Sequence, residues 1–293
     1  MRNLLVLSVF LLMTLTGYAQ GYQFTVVKEN PITSIKNQSN SGTCWSFSGV
    51  AFLESELLRM NKGEHDLSEM YIVRRNYADK AEKYVRVGGN LNFAQGGAFA
   101  DVVETINEYG VVPNEVYTGL NYGETTHKHG EVEAGLAGYV KGIAANKNKR
   151  LSPVWTTGLN GILDAYFGAF PHEFQYQGKK YTPQALAQSL GLDSKNYISV
   201  TSFTHHPFYA PFALEIPDNW RWSPSYNVPV DEMIQIIDNA INNGYTVAWA
   251  TDVSEIGFTR NGIAVIPDED APENVGSDQA HWLGLSQTER NNR

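Results

Sequence analysis

The 293 residues carry 22 Lys and Arg against 31 Asp and Glu, a formal net charge of −9, and 42% of the side chains are hydrophobic. A chain this acidic, whose longest basic cluster is the short stretch from Lys147 to Arg150, lacks the positive stripe that nucleic-acid binding demands. It is long enough to bury a substantial core, and its single cysteine, Cys44, excludes an internal disulfide framework.

Taken in order, Arg2 precedes an apolar run from Leu4 to Leu15 that breaks at Thr16-Gly17 and ends in the small-x-small pattern Gly17-Tyr18-Ala19. The run is about 12 residues, too short to span a bilayer, and it holds no cysteine to accept a lipid. Residues 1–19 therefore read as a signal peptide cleaved after Ala19. The expectation is an exported product, periplasmic or extracellular, with no membrane anchor. In such an oxidising compartment an unpaired thiol is either reactive or accidental. Phe24-Thr25-Val26-Val27 reads as a short strand leading to Pro31.

Next comes the polar turn Asn37-Gln38-Ser39-Asn40-Ser41-Gly42-Thr43, rich in residues that favour bends, and then Cys44. From Trp45 to Met60 there is no Pro and no Gly after Gly49, so Cys44 is predicted to open a helix. Phe47, Val50, Ala51, Leu57 and Leu58 recur at helical spacing and predict a buried face that holds the helix rigid. The first turn of such a helix presents unpaired N–H groups and the positive end of the macrodipole, which favour a reactive thiolate. Gln38, six residues earlier, is placed to add its side-chain amide to the Cys44 N–H, and two such donors make an oxyanion hole. Outside this context Cys44 would be a small buried hydrophobe and Gln38 an ordinary loop amide.

Ser68 reads as the N-cap of a second helix, with Tyr71, Arg74, Arg75 and Tyr77 on a half-exposed face. Gln95-Gly96-Gly97 is followed by Phe99, Val102, Val103 and Ile106 at helical spacing, up to Tyr109-Gly110. The glycine pair is either a plain turn or a place where an extended substrate lies against bare backbone. From Thr125 to about Tyr181 regularity is lost, and His127 and His129, without a second cysteine nearby, read as a solvated loop. Thr182-Pro183 to Gly191 is a capped helix, and a second runs from Pro229 to Gly244 with Val230, Met233, Ile234, Ile237 and Ile241 facing a core. The aromatic stretch between them, with Trp220, Trp222 and Tyr226, reads as packing of a long loop, with a hydrophobic subsite as the alternative. Thr246 to Ala250 reads as a strand, and Asn261-Gly262 as a tight turn.

Asn37-Gln38 followed by Ser41-Gly42-Thr43-Cys44-Trp45-Ser46-Phe47-Ser48 resembles the cysteine-helix signature of the papain-like peptidases. Leu67-Ser68-Glu69, and then Gly96-Gly97, a helix and Tyr109-Gly110-Val111-Val112-Pro113, match the order of elements that follows that helix in the superfamily. Ser41 stands where the secreted cathepsins carry a second cysteine, and in this the chain is similar to the bleomycin hydrolase and aminopeptidase C branch. The resemblance is close over residues 31–113 and looser over 182–266.

It implies an α+β, papain-like, two-lobed fold: a helical lobe carrying Cys44 and a β-rich lobe that is incomplete here. Residues 20–293 would be the peptidase domain, with a branch-specific insertion over about 125–181. The implied activity is hydrolysis of peptide bonds through an acyl-enzyme, as an aminopeptidase on short peptides. Cys44 would attack, Gln38 and the Cys44 N–H would hold the oxyanion, and Gly96 and Gly97 would bind the peptide. Neither metal nor other cofactor is implied, and homo-oligomeric assembly, known in the branch, is left open. A histidine must take the thiol proton. His172, His205-His206 and His281 all lack the family context for it, and in the branch that His follows the equivalent of Thr251-Asp252-Val253 by roughly fifty residues, which places it beyond Arg293. The alternative is a non-catalytic protein that keeps the peptide cleft and lacks the histidine.

Overall fold

The chain runs α1 (Cys44–Arg59), α2 (Glu69–Arg86), α3 (Phe99–Tyr109), α4 (Gly130–Ala144), α5 (Trp155–Phe167), β1 (Phe174–Tyr176), β2 (Lys179–Tyr181), α6 (Pro183–Leu190), β3 (Val200–Thr201), β4 (Ala210–Ala213), β5 (Pro224–Asn227) and α7 (Val230–Asn242). This computed structural model describes residues 24–148, 150–251 and 262, so the predicted signal segment, Asp252-Val253, Asn261 and His281 lie outside the described residues. No helix among the described residues is long and apolar enough to cross a membrane.

Helix α2 is the hub, in contact with α1, α3, α4 and α5. Its side chains Met70, Tyr71, Ile72, Val73 and Tyr77 are buried with Leu53 and Leu57 of α1, Val102 and Ile106 of α3, Leu136 and Val140 of α4, and Leu159 and Leu163 of α5. Of the half-exposed face predicted for α2, only Arg75 is half-buried. Tyr71, Arg74 and Tyr77 are buried, because α5 brings Asp164 to within 2.5 Å of Arg74 while the guanidinium stacks 3.9 Å from the centre of the Phe170 ring. A buried arginine is tolerable only with such partners.

Helix α1 has the predicted span, but its buried face is rotated: Leu53, Glu54 and Ser55 are inside, whereas Ala51 is exposed. Glu54 can be buried because it accepts from Thr33 Oγ1 at 2.6 Å, the Leu67 N–H at 2.8 Å and Lys36 Nζ at 2.8 Å. It thereby ties the segment before the cysteine turn to the cysteine helix.

The stretch expected to lack regularity holds α4, α5 and the antiparallel hairpin β1–β2. Beyond α6, whose Thr182 cap, first-turn Pro183 and left-handed Gly191 are as predicted, β5 pairs parallel with β3 and antiparallel with β4. The strands predicted at Phe24–Val27 and at 246–250 join no sheet among the described residues. Nor does α7 pack as predicted: it has no buried residue, and Val230 and Ile234 are about half exposed.

Where α1 and α2 begin, Ser46 Oγ donates to the Glu69 carbonyl at 3.0 Å. The Glu69 side chain is itself buried, and burial raises its pKa to about 7, with Glu54 and Asp66 adding to the rise and Lys36 opposing it. A carboxylate with a raised folded pKa favours folding when protonated, and this contribution is lost as the pH climbs from the unfolded value of 4.5 through 7. Glu69→Gln is thus expected to match the parent in urea denaturation at pH 4 and to exceed its stability at pH 8 by roughly 3 kcal/mol. Equal stability of the two proteins at both pH values would show that Glu69 is not desolvated.

Candidate active site

The cysteine turn is laced by its own side chains. Asn37 Oδ1 accepts the Ser39 N–H at 2.8 Å, and Ser39 sits at φ 55°, the left-handed region. The buried Ser41 hydroxyl donates to the Gln38 carbonyl at 2.8 Å and lies 2.6 Å from Thr43 Oγ1. Gln38 Nε2 donates to the Ser41 carbonyl at 2.6 Å, which uses one of its two amide hydrogens, and α1 begins three residues after Ser41. There the N–H groups of Ser46 and Phe47 fold back onto the Thr43 carbonyl at 2.9 and 3.2 Å. The N–H groups of Cys44 and Trp45 have no carbonyl behind them in the helix. Cys44 is exposed, whereas Trp45 and Ser46 beside it are buried, so the thiol stands at the open end of an anchored helix.

Gln95 joins this turn to the glycine pair. Its Oε1 accepts the Gly42 N–H at 2.5 Å, its carbonyl accepts Trp45 Nε1 at 2.9 Å, and its Nε2 donates to Glu133 of α4 at 2.5 Å. Lys80, buried on α2, donates to the carbonyls of Ala94 at 2.9 Å and of Gly96, and burial lowers its pKa to about 8. The predicted residues Cys44, Gln38, Gly96 and Gly97 thus lie on two loops that Gln95 joins directly. Gly97 also has a reason the sequence did not suggest. A Cβ on Gly97 would stand 2.8 Å from the Trp45 ring and 2.9 Å from Asp101 Oδ2, and one on Gly96 would overlap the Asp218 carboxylate. Close approach of the buried Trp45 ring and Asp101 carboxylate requires glycine at Gly97, whereas at Gly96 the neighbour is the end of the exposed Asp218 side chain, which can swing aside.

Asp218 belongs to a strap, residues 214–222, between β4 and β5. Asp101, 1% exposed at the start of α3, accepts from the Ala98 N–H at 2.8 Å, Trp220 Nε1 at 3.0 Å and Arg221 Nε at 2.8 Å. Arg221 continues to Asp79 at 2.7 Å, and Asp79 accepts the Tyr109 hydroxyl at 2.9 Å. Of the aromatic stretch, buried Trp220 packs as expected, whereas Trp222 is exposed and lies under Lys83 Nζ, 3.5 Å from the ring centre. Gln95, Lys80, Asp101 and Arg221 were not read as site residues, and only the adjacency of Gln95 to the glycines could have signalled any of them.

Among the described residues no histidine is hydrogen-bonded to Cys44. His65 contacts the Tyr176 hydroxyl at 2.9 Å and the Lys62 carbonyl at 3.1 Å, His172 is exposed, and His206 lies 2.8 Å from Glu215. The solvated loop predicted for His127 and His129 is incorrect. Asn40 of the cysteine turn bonds both residues through the backbone, at 2.9 and 3.1 Å, and draws the segment inward. His127 is half-buried edge-on to Phe47, and burial lowers its pKa; fully buried His129 falls to about 4 for the same reason and is neutral.

Residues 22–183 match the profile described as papain family cysteine protease. Cysteine proteinase 2 of Entamoeba histolytica is 30% identical over a segment covering 53% of this chain and 46% of that protein. Aminopeptidase C of Lactobacillus delbrueckii subsp. lactis is 25% identical, over 78% of this chain and 61% of its own length. The crystal structure of PepW from Lactobacillus rhamnosis shares the fold with a TM-score of 0.62 at 17% identity, over 75% of this chain and 59% of that one. The chain spans about half to three-fifths of the length of these relatives.

Proposed function

The chain belongs to the papain family of cysteine proteases, and from that we propose that it hydrolyses short peptides from their N-terminus through a thioester on Cys44. The observation that carries the proposal is the joining of two loops: Gln95 holds the turn bearing Gln38 and Cys44 directly against Gly96-Gly97. A peptide lying along the Gly96-Gly97 backbone would bring a carbonyl carbon to the exposed Cys44 sulfur. As Cys44 Sγ adds to it, the carbonyl oxygen gains negative charge. The second N–H of the Gln38 amide and the Cys44 N–H would receive that charge. A histidine outside the described residues would take the thiol proton and return it to the leaving amine, after which water releases the acyl group. Aminopeptidase action rests on the similarity to Aminopeptidase C.

Paired fluorogenic substrates that differ only in an N-acetyl group test the proposal. Hydrolysis of the free-amine substrate with at least about tenfold less of the blocked one is the expected result. Equal rates would leave a cysteine endopeptidase. Peptide binding without turnover would favour the non-catalytic reading.

A further inference from the structure

The loop between β3 and β4 carries His205 and His206, and the chain leaving β4 carries Glu215. His206 Nε2 lies 2.8 Å from Glu215 Oε1, and His205 Nε2 lies 3.6 Å from Glu215 Oε2. One ligand atom from each of the three residues falls within 4.8 Å of the others. Both imidazoles thus turn the same ring nitrogen to a single carboxylate, one toward each oxygen. An ordinary surface ion pair requires only one. Two imidazoles and a carboxylate converging in this way are a donor set suited to a borderline divalent cation such as zinc.

The loop is also fixed in advance. Asn227 of β5, 0% exposed, donates from Nδ2 to the carbonyls of Phe203, His206 and Pro207 at 2.8, 3.1 and 3.2 Å, and its Oδ1 accepts the Phe203 N–H at 2.8 Å. The His206 ring stacks on Phe212 with centroids 3.9 Å apart, and the His205 ring meets Phe203 edge-on at 5.3 Å. Backbone and rings are therefore held before any ligand arrives, which lowers the ordering cost of binding.

We propose that His205, His206 and Glu215 bind a divalent late-transition-metal ion of the zinc class, with water completing the coordination. The site is separate from the thiol chemistry, but it has a mechanical consequence. Glu215 lies at the start of the strap, the segment that lays Asp218 over Gly96 and Trp220 and Arg221 on Asp101. The ion would fasten the near end of the strap while Asp101 holds the far end, so binding stabilises the wall behind the glycine pair.

The test uses the full chain with Cys44→Ser, so that the thiol does not compete for metal, titrated with Zn²⁺ by calorimetry at pH 7.5. One ion per chain and a raised melting temperature are expected. Both should weaken at least about tenfold, or vanish, in His206→Ala and in Glu215→Gln, and persist in His172→Ala, which removes an exposed histidine elsewhere. Because Glu215 is exposed, Glu215→Gln should keep the parent's metal-free melting temperature, which separates ligand loss from misfolding. No stoichiometric binding by the parent, or binding undiminished in His206→Ala and Glu215→Gln, overturns the proposal.

Discussion

Replacing Cys44 by alanine is expected to abolish peptide hydrolysis, a loss on the order of 10⁶-fold in kcat, while leaving the melting temperature essentially unchanged. The two halves of that expectation come from one feature. Cys44 is exposed at the first position of α1, so its sulfur contributes little to packing, whereas Trp45, Ser46, Val50 and Leu53 farther along the helix carry its burial. Surface side chains away from caps and buried networks usually change stability by no more than about 0.5 kcal/mol. Activity retained in Cys44→Ala would assign the chemistry to another group. A large fall in stability would mean instead that the thiol is a core residue.

Gln38→Ala is expected to lower kcat about 10²- to 10³-fold with little change in KM, because an oxyanion donor acts on charge that exists only in the transition state. The substitution also removes the Gln38–Ser41 hydrogen bond, a cost of about 0.5–1.5 kcal/mol that denaturation would detect. The split between kcat and KM distinguishes the roles. If Gln38 only shapes the turn, the Cys44 thiol is displaced and KM and kcat fall out of line together, with a fall in stability to match. If it binds the oxyanion, kcat falls while KM holds, and the stability loss stays within that of the single hydrogen bond.

Much of the site was legible in sequence because it is local. The turn, the helix start and the Gln38 to Cys44 spacing all fall within the eight consecutive residues from Asn37 to Cys44, where turn chemistry and helix termini govern structure directly. The same holds for α6, whose Thr182, Pro183 and Gly191 are used as their chemistry predicts. What escaped is non-local or chemically disguised. Asp101 and Arg221 meet across 120 positions, and nothing in either neighbourhood announces the other. Helix α4 was hidden by glycines at 130, 135, 138 and 142, which weaken the propensity signal although Val132, Leu136 and Val140 keep one buried stripe. Arg74 was read on a half-exposed face, and only the carboxylate that α5 supplies makes its burial affordable; Lys80, likewise buried, depends on the carbonyls of Ala94 and Gly96. For α7 the error ran the other way: a strongly amphipathic pattern predicted burial, yet its apolar residues are not buried among the described residues.

The most direct test of Cys44 as the nucleophile is titration of the folded protein with a peptidyl epoxide, read by intact mass beside Cys44→Ala and an unfolded sample. A single adduct on Cys44, formed faster in the folded protein than in the unfolded one and slowed by a competing peptide, is the expected result. Labelling of the folded protein no faster than that of the unfolded thiol would contradict it.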